Sequence, residues 1–326
     1  MRYFLTGATG FVGGYLVRQL REAGHEVRCL VRNPAAAHAL VQQGATLHAG
    51  DVTDKASMRE PMSGVEGVFH VAGWYKVGAR DQRPAAPTNI DGTRNVLELM
   101  RELEIPKGVY TSTLAVNSDT HGQLANESYR FAGTHLTEYD RTKAAAHALA
   151  EAMIAQGLPL VIVMPGLIYG PGDTSSVRQM FVQFLKRLMP MVPRETAFSW
   201  AHVEDVARAH VLAMEQGRAG EKYIVCGPTH TLAESFALAA KVCGRRAPLA
   251  APSYLFKPMI KPMRWLEKIL PVPSTYSSEA MQISSGVTYI GDNTKAKAEL
   301  GYQPRTLSVG LAETLEHEMR LLGIKR

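Results

Sequence analysis

Thr6-Gly7-Ala8-Thr9-Gly10-Phe11-Val12-Gly13 is the stretch that decides the fold. It follows a short apolar run at residues 2–6 and leads into a helical pattern that ends at Gly24. Glycines at 7, 10 and 13 permit a tight turn, close approach of the backbone to a pyrophosphate, and close packing of helix on strand. A strand, such a turn and a helix in this order predict a dinucleotide site at the helix N-terminus. We expect the cofactor contacts at Gly7, Thr9, Gly10, Phe11 and Val12.

On the C-terminal side of this stretch, buried-strand patterns alternate with helical patterns. The strand patterns lie at residues 27–31, 46–49, 65–70, 107–113 and 158–164, and helical patterns include residues 90–103 and 139–155. This alternation predicts an α/β fold, a doubly wound parallel sheet (Rossmann) with a smaller, mostly C-terminal substrate-binding cap. The dinucleotide-binding domain would span residues 1–165, with a returning segment at about 198–226. The substrate-binding region would span residues 166–326, where prolines interrupt shorter elements.

Composition narrows the function classes. The 326 residues carry 36 basic and 30 acidic side chains, a net charge of +6 that suits an anionic cofactor. No basic run is interleaved with stacking aromatics, so we expect no nucleic-acid partner. Three distant cysteines predict neither a disulfide framework nor a zinc site, and we predict no metal. With no secretory signal and no apolar stretch long enough to span a bilayer, a cytoplasmic location is expected.

The end of the second strand pattern distinguishes NAD from NADP. A carboxylate there binds the ribose 2′-hydroxyl of NAD, whereas an arginine accommodates the 2′-phosphate of NADP. The sequence places Arg32 there and no acid within reach, so NADP is favoured, with NAD as the alternative. Asp51 and Val52, after the third strand, are the next cofactor candidates. Asp51 would accept from the adenine amino group, although a helix-capping aspartate would look the same.

Tyr139 and Lys143 stand four residues apart at the start of the helical pattern 139–155. Residues at this spacing share a helix face, so the ammonium can lie near the phenol. A phenol with a pKa of about 10 is a poor base at neutral pH, and a neighbouring cation favours the phenolate. The pair therefore predicts an acid/base.

Further motifs accompany this pair in a recognisable order and spacing. They are Thr6–Gly13, Asp51-Val52 and residues 70–73, 89–93, 110–113, 139–143, 165–173 and 202–207. The chain resembles the extended short-chain dehydrogenases/reductases, the NAD-dependent epimerase/dehydratase superfamily, over nearly its whole length. Within that superfamily it is most similar to the dihydroflavonol-4-reductase-like and hopanoid-associated sugar epimerase-like group, through residues 70–75 and the turn around Arg32.

The resemblance implies residue roles. Tyr139 would be the catalytic acid/base, and Lys143 would lower its pKa and bind the nicotinamide ribose. Thr113 would hold the substrate oxygen where the family more often has serine, whereas Ser112 points to the opposite face of its strand. Further cofactor contacts are implied for Val71, Ala72, Gly73, Asn89 and Pro165.

Two departures from the superfamily bear on the substrate. Nucleotide-sugar enzymes in it usually carry an asparagine shortly after the sixth strand and an arginine four residues before the histidine that is His202 here. This chain has Pro165-Gly166-Leu167 and Phe198 at those places, which disfavours a nucleotide diphosphate. We predict substrate contacts at Trp74, Tyr75, Thr113, Tyr139 and Phe198. Other pocket candidates are Phe181, Phe184, Trp200, Tyr254, Phe256 and Met259.

We therefore predict an NADP-dependent oxidoreductase for a small-molecule ketone, aldehyde or alcohol of apolar or aromatic character. One alternative is a sugar or nucleotide-sugar epimerase/dehydratase that recycles NAD(P), and another is a non-catalytic NADP-binding sensor. The resemblance suggests a homodimer through the helices at 95–103 and 143–155. Residues 256–270 mix apolar and basic residues as an interfacial helix would. Because Pro258 and Pro262 interrupt them, we expect a solvated cap rather than membrane contact.

Overall fold

The elements fold in the predicted order. The computed structural model describes residues 1–270, residue 272 and residues 277–325, with Lys268 described in its backbone only. The strands of this part are β1 (Arg2–Thr6), β2 (Glu26–Val31), β3 (Thr46–Ala49), β4 (Gly67–His70), β5 (Gly108–Thr111), β6 (Leu160–Pro165), β7 (Leu167–Tyr169), β8 (Met191–Pro193), β9 (Ala197–His202), β10 (Lys222–Val225), β11 (Thr229–Thr231), β12 (Leu249–Ala251) and β13 (Thr288–Tyr289). Its helices are α1 (Phe11–Glu22), α2 (His38–Gln42), α3 (Lys55–Met62), α4 (Gly92–Glu102), α5 (Glu138–Ala155), α6 (Ser176–Leu185), α7 (Val203–Glu215), α8 (Leu232–Cys243), α9 (Ile260–Ile269), α10 (Ser278–Ile283), α11 (Thr294–Leu300) and α12 (Leu307–Leu321).

Seven of these strands form one parallel sheet in the order β10-β6-β5-β4-β1-β2-β3. This confirms the doubly wound α/β prediction. The strand order reverses between β1 and β4, and ligands of such sheets bind at the carboxyl ends of the strands beside that point. The glycine-rich turn after β1 lies there.

Helices cover both faces of the sheet, and its central strands are apolar on both sides. In β6, Val161 and Val163 pack on the face that α1 and α7 cover, whereas Leu160 and Ile162 pack on the face of α3, α4 and α5. All four side chains are fully buried. This near-continuous apolar run is what a parallel sheet between two helix layers requires.

The residues after β6 build a second core. A small sheet pairs β11, β9 and β13, with β7 also on β9, and β8 pairs with β12. Aromatic rings fill the space between this sheet and α6, α8 and α12, among them Phe181, Trp200 and Phe236.

Several element boundaries differ from the sequence prediction by one to three residues, and two of these differences lie near the site. The strand predicted at 107–113 ends at Thr111, because the Thr113 hydroxyl accepts from the backbone N–H of Ala115 and starts a 3₁₀ turn at Leu114–Asn117. The helix predicted at 90–103 begins as a π-helical turn, Pro87–Asp91, before α4.

In the part of the chain that the structure describes, no helix has both the length and the apolar character needed to cross a bilayer.

Candidate active site

The glycine-rich turn leaves no room for a side chain at Gly7 or Gly13. Gly7 has a φ of 77°, and a Cβ there would lie 2.6 Å from the backbone nitrogen of Ala72. A Cβ on Gly13 would lie 2.0 Å from the carbonyl oxygen of Gly7. No side chain caps α1, whose N-cap is Gly10. The first N–H groups of α1 are therefore free of a side-chain cap, and they suit an anionic pyrophosphate.

Two adjacent glycines of α1 make a matched test of this packing. We expect Gly13→Ala to lower the free energy of unfolding by about 1–3 kcal/mol, because the new methyl overlaps the turn backbone. Gly14→Ala should raise it by up to about 1 kcal/mol through helix propensity, since the nearest atom to a Cβ there is 3.8 Å away. Urea denaturation of both variants without cofactor measures the difference. Equal effects would contradict the tight turn.

The structure places Arg32 directly after β2, on the surface, and Arg32 forms no ion pair within the described residues. Asp51 is held locally, since its Oδ1 accepts from the backbone N–H of Thr53 at 2.9 Å. The cap of α3 is Asp54, so the alternative of Asp51 as a helix cap is wrong. Val52 is buried against α4, next to Gly92.

The loop after β4 is fastened to α5 by Asn89. The Asn89 side chain accepts from the Trp74 N–H at 2.7 Å and donates to the Trp74 carbonyl at 3.0 Å and to the Thr142 hydroxyl at 2.9 Å. Asn89 is 1% exposed. Its amide therefore positions this loop, and the cofactor contact predicted for Asn89 stays a prediction. Gly73 lies beside Lys143, with 3.9 Å from a Cβ position to Nζ.

Tyr139 lies in the first turn of α5, which Thr137 caps. Burial raises the pKa of Tyr139 to about 12, an effect that a hydrogen bond with the Thr113 side chain opposes and the charge of Asp140 reinforces. The phenol is thus protonated at neutral pH. Ser112 is directed elsewhere, with its hydroxyl 2.7 Å from Nδ1 of His147.

Lys143 is buried and lies about one helical turn after Tyr139 on α5. Its Nζ donates to the carbonyl of Thr111 at 2.8 Å and to the hydroxyl of Tyr110 at 3.2 Å, and it lies 4.8 Å from the centre of the Tyr110 ring. Burial lowers the pKa of Lys143 to about 7. Burial is the largest influence on the pKa of both groups, and Lys143 is directed to β5, so a lowering of the pKa of Tyr139 by this ammonium stays a prediction.

Tyr110 is a site residue that the sequence interpretation missed. Its ring stacks on His70 at 5.5 Å, and His70 joins the hydroxyls of Thr6 at 2.8 Å and Thr93 at 3.0 Å. Burial, and then the charge of Lys143, lower the pKa of His70 to about 3, so the ring is neutral. This buried network links Lys143 to the end of β1. The sequence does carry a signal for this network, namely a tyrosine, a histidine and threonines at the ends of otherwise apolar strands.

A second group of polar residues holds the start of α5. Burial raises the pKa of Asp140 to about 6, and its Oδ2 accepts from the hydroxyl of Tyr289 at 2.8 Å. Glu279 of α10 accepts from the N–H of Gly78 at 2.8 Å and from the N–H of Glu138 at 3.3 Å. The element containing α10 is thereby joined to the loop after β4 and to the residue preceding Tyr139.

Two of the predicted substrate residues, Trp74 and Tyr75, lie in the loop after β4. Trp74 is buried, and Tyr75 is half exposed with its hydroxyl 3.3 Å from that of Thr174. Phe198 is 7% exposed and stacks on Tyr289 at 6.0 Å. We assign Phe198 to the second core, which the residues after β6 build, rather than to an open pocket. Phe181, Phe184 and Trp200 belong to the same core.

Pro165 and Gly166 end β6 at the same edge of the sheet. Pro165 is buried and pairs with Val225 of β10. A Cβ on Gly166 would lie 2.0 Å from the carbonyl oxygen of Ser199, so this turn is fixed against β9.

His202, Glu204 and Glu313 bring their ligand atoms within 4.8 Å of one another. Arg305 pairs with Glu204 at 3.0 Å and with Glu313 at 2.7 Å, and Arg18 also pairs with Glu204. Two guanidinium groups on these carboxylates oppose a bound cation. We assign no metal to this cluster.

The chain is similar to known proteins in sequence and in structure. The model of the NAD dependent epimerase/dehydratase family matches residues 3–226. A putative dihydroflavonol 4-reductase of Synechocystis sp. is 32% identical, covering 96% of this chain and 93% of that protein. Sterol demethylase protein B of Methylococcus capsulatus is 29% identical, covering 97% of each. Among solved structures, the crystal structure of gox2253 is similar with a TM-score of 0.85 and 30% identity, covering 99% of each chain.

Proposed function

Because this chain belongs to the NAD-dependent epimerase/dehydratase family, we propose that it is an NADP-dependent oxidoreductase. It transfers hydride between the nicotinamide and a ketone, aldehyde or alcohol of apolar or aromatic character. The observation that carries the proposal is the convergence of Tyr139, Thr113 and Lys143 at the carboxyl edge of the sheet, beside the glycine-rich turn.

The residues present fit a dinucleotide. The uncapped N-terminus of α1 and the turn at Gly7 would hold the pyrophosphate. Val71, Ala72 and Gly73 would border the nicotinamide half, with Gly73 next to Lys143. When bound, the cofactor supplies the hydride for the carbonyl carbon.

Tyr139 acts as the proton donor in the direction of reduction. Its raised pKa keeps the phenol protonated at neutral pH. The Thr113 hydroxyl accepts from Ala115 N–H at 3.1 Å, so the hydrogen that it shares with Tyr139 can turn to a substrate oxygen. A substrate oxygen beside both groups would accept one proton and one hydrogen bond as negative charge develops.

Lys143 would bind the nicotinamide ribose, since its Nζ lies beside Gly73 in the loop after β4. With a pKa lowered to about 7, its amine exchanges protons near neutral pH. The Thr111 carbonyl and the Tyr110 hydroxyl hold Nζ in place, so the amine is oriented without a carboxylate partner.

The substrate class follows from what the chain lacks and from its relatives. Pro165-Gly166-Leu167 and Phe198 replace the polar contacts that nucleotide-sugar enzymes usually carry, and Phe198 is buried in the core. Two relatives are named for a dihydroflavonol and for a sterol, both of which are polycyclic. We infer a substrate of similar character.

Arg32→Gln tests the choice of cofactor. We expect NADPH affinity to fall about 10- to 100-fold, because a charge-assisted contact to the 2′-phosphate is lost. NADH affinity should stay unchanged, which makes NADH the internal control. Calorimetric titration measures both. An equal loss for the two cofactors, or none, would remove Arg32 from the site.

A substrate panel tests the function itself. Aromatic, terpenoid and steroidal ketones, including a dihydroflavonol, are each incubated with the protein and NADPH, and cofactor absorbance is followed. We expect oxidation of NADPH with at least one of these classes. Interconversion of a sugar or nucleotide sugar without net change in cofactor would support the epimerase alternative instead.

A further inference from the structure

Exposed apolar side chains are concentrated on one element of the structure. Of fifteen large hydrophobic side chains exposed in the described residues, seven lie between 249 and 270. Six of them precede or belong to α9 and its end: Tyr254, Leu255, Met259, Trp265, Ile269 and Leu270. Soluble proteins seldom expose such a group without a partner.

The two sides of α9 differ in character. Ile260, Met263 and Leu266 are partly buried, and α9 packs on α10. Trp265 is 65% exposed and Ile269 is 58% exposed, and their spacing of four places them on one stripe. The outward side therefore carries the indole that a solvated helix would ordinarily bury.

Basic side chains accompany this stripe. Lys257, Lys261 and Arg264 are exposed, and Lys261 stands four residues before Trp265. The one acid between 254 and 270, Glu267, is turned inward, where it accepts from the N–H of Ser278 at 2.9 Å and from its hydroxyl at 2.6 Å. We call this basic and apolar surface, formed by the exposed side chains of residues 254–265 and by Ile269, the α9 face.

The α9 face is connected to the candidate site. Arg80, in the loop after β4, donates to the carbonyls of Glu267 and Leu270 at 3.1 Å. Glu279 of α10 bonds the same loop at Gly78 and the N–H of Glu138. The surface thus lies on the elements that border Tyr139.

We propose that the α9 face docks on an anionic lipid bilayer. Tryptophan, tyrosine and aliphatic side chains would enter the headgroup region, while the lysines and Arg264 meet the lipid phosphates. The proposal departs from the expectation of a solvated cap because the exposed side chains are both apolar and basic. A bilayer fits better than a second copy, because a two-fold interface would bring each cluster of basic side chains against its own counterpart. Docking of the α9 face on a bilayer does not depend on the proposed reaction.

Co-sedimentation with vesicles tests the docking. We use vesicles of phosphatidylcholine alone and vesicles in which about a third of the lipid is phosphatidylglycerol. The protein should bind only the anionic vesicles. Lys261→Gln/Arg264→Gln should weaken binding about 25-fold, on the basis of about fivefold per cation, and Trp265→Ser about tenfold.

Matched controls lie on α12 and after it. Arg320→Gln/Lys325→Gln removes two exposed cations, and Leu321→Ser removes an exposed apolar side chain 60% accessible. Both should bind within about twofold of the unaltered chain. Equal losses in the controls would show attraction by net charge alone and overturn the proposal. No binding to anionic vesicles, or concentration-dependent self-association without lipid that Trp265→Ser abolishes, would also overturn it.

Discussion

Tyr139→Phe should lower kcat about 10²- to 10⁴-fold while leaving the affinity for NADPH within about twofold. The substitution removes one oxygen and keeps the ring, so the packing of the first turn of α5 is retained. Thr113 loses the partner that shares its hydrogen bond, and the substrate oxygen loses its proton donor. Steady-state kinetics with the carbonyl identified in the panel, and calorimetry with NADPH, give the two quantities.

Tyr3→Phe is the matched control. Tyr3 is buried at the amino end of β1, paired with Gly67, and so lies at the edge of the sheet opposite to the glycine-rich turn. Its loss of the same oxygen should leave kcat unchanged. Retained turnover in Tyr139→Phe, or a comparable loss in Tyr3→Phe, would defeat the assignment of Tyr139 as proton donor.

Lys143→Met should abolish most turnover and yet stabilise the fold. The amine is buried with its pKa lowered to about 7, and no carboxylate pairs with it within the described residues. In the unfolded chain a lysine titrates near 10.4. Between these values the unfolded chain binds more protons, so the stability of the unaltered protein relative to the variant rises with pH from about 7 to about 10. Below pH 7 the cost of the buried ammonium is largest, of the order of a few kcal/mol.

Urea denaturation at several pH values measures this difference. The gap in free energy of unfolding between Lys143→Met and the unaltered chain should be widest near pH 6–7 and narrow toward pH 10. Lys222→Met is a contrasting control, because Lys222 pairs with Glu151 at 2.5 Å and its removal leaves that carboxylate without this partner. A gap that does not depend on pH, or a destabilised Lys143→Met, would contradict the buried neutral amine.

The sheet was predictable because local patterns and global topology agree. The central strands are short apolar runs, and parallel pairing between helix layers has few topologies consistent with right-handed crossovers. Thr6–Gly13 indicated the switch point, because only glycine at 13 lets the helix pack this closely on the turn, where a Cβ would lie 2.0 Å from the carbonyl oxygen of Gly7. The strand at 107–113 ended early for a reason that periodicity does not reveal, namely a hydroxyl cap from Thr113.

The electrostatics of the site were not predictable from spacing alone. Tyr139 and Lys143 share a helix face as their spacing indicates, but burial governs their protonation and β5 supplies the partners of Lys143. The sequence predicted Phe198 as a pocket residue because it stands where related enzymes have a polar contact, yet it packs on Tyr289 in the core. The sequence predicted Asn89 as a cofactor contact, and its amide forms hydrogen bonds with Trp74 and Thr142. Contacts between residues distant in sequence decide each of these outcomes.

The most direct test of hydride transfer beside Tyr139 uses NADPH deuterated at the transferable position of the nicotinamide. After reaction with an apolar ketone, mass spectrometry of the alcohol should find one deuterium on the former carbonyl carbon with the unaltered protein. Over the same reaction time, Tyr139→Phe should form at most about a hundredth as much labelled alcohol. A substrate returned with inverted configuration and no deuterium, or undiminished label transfer in Tyr139→Phe, would contradict the account.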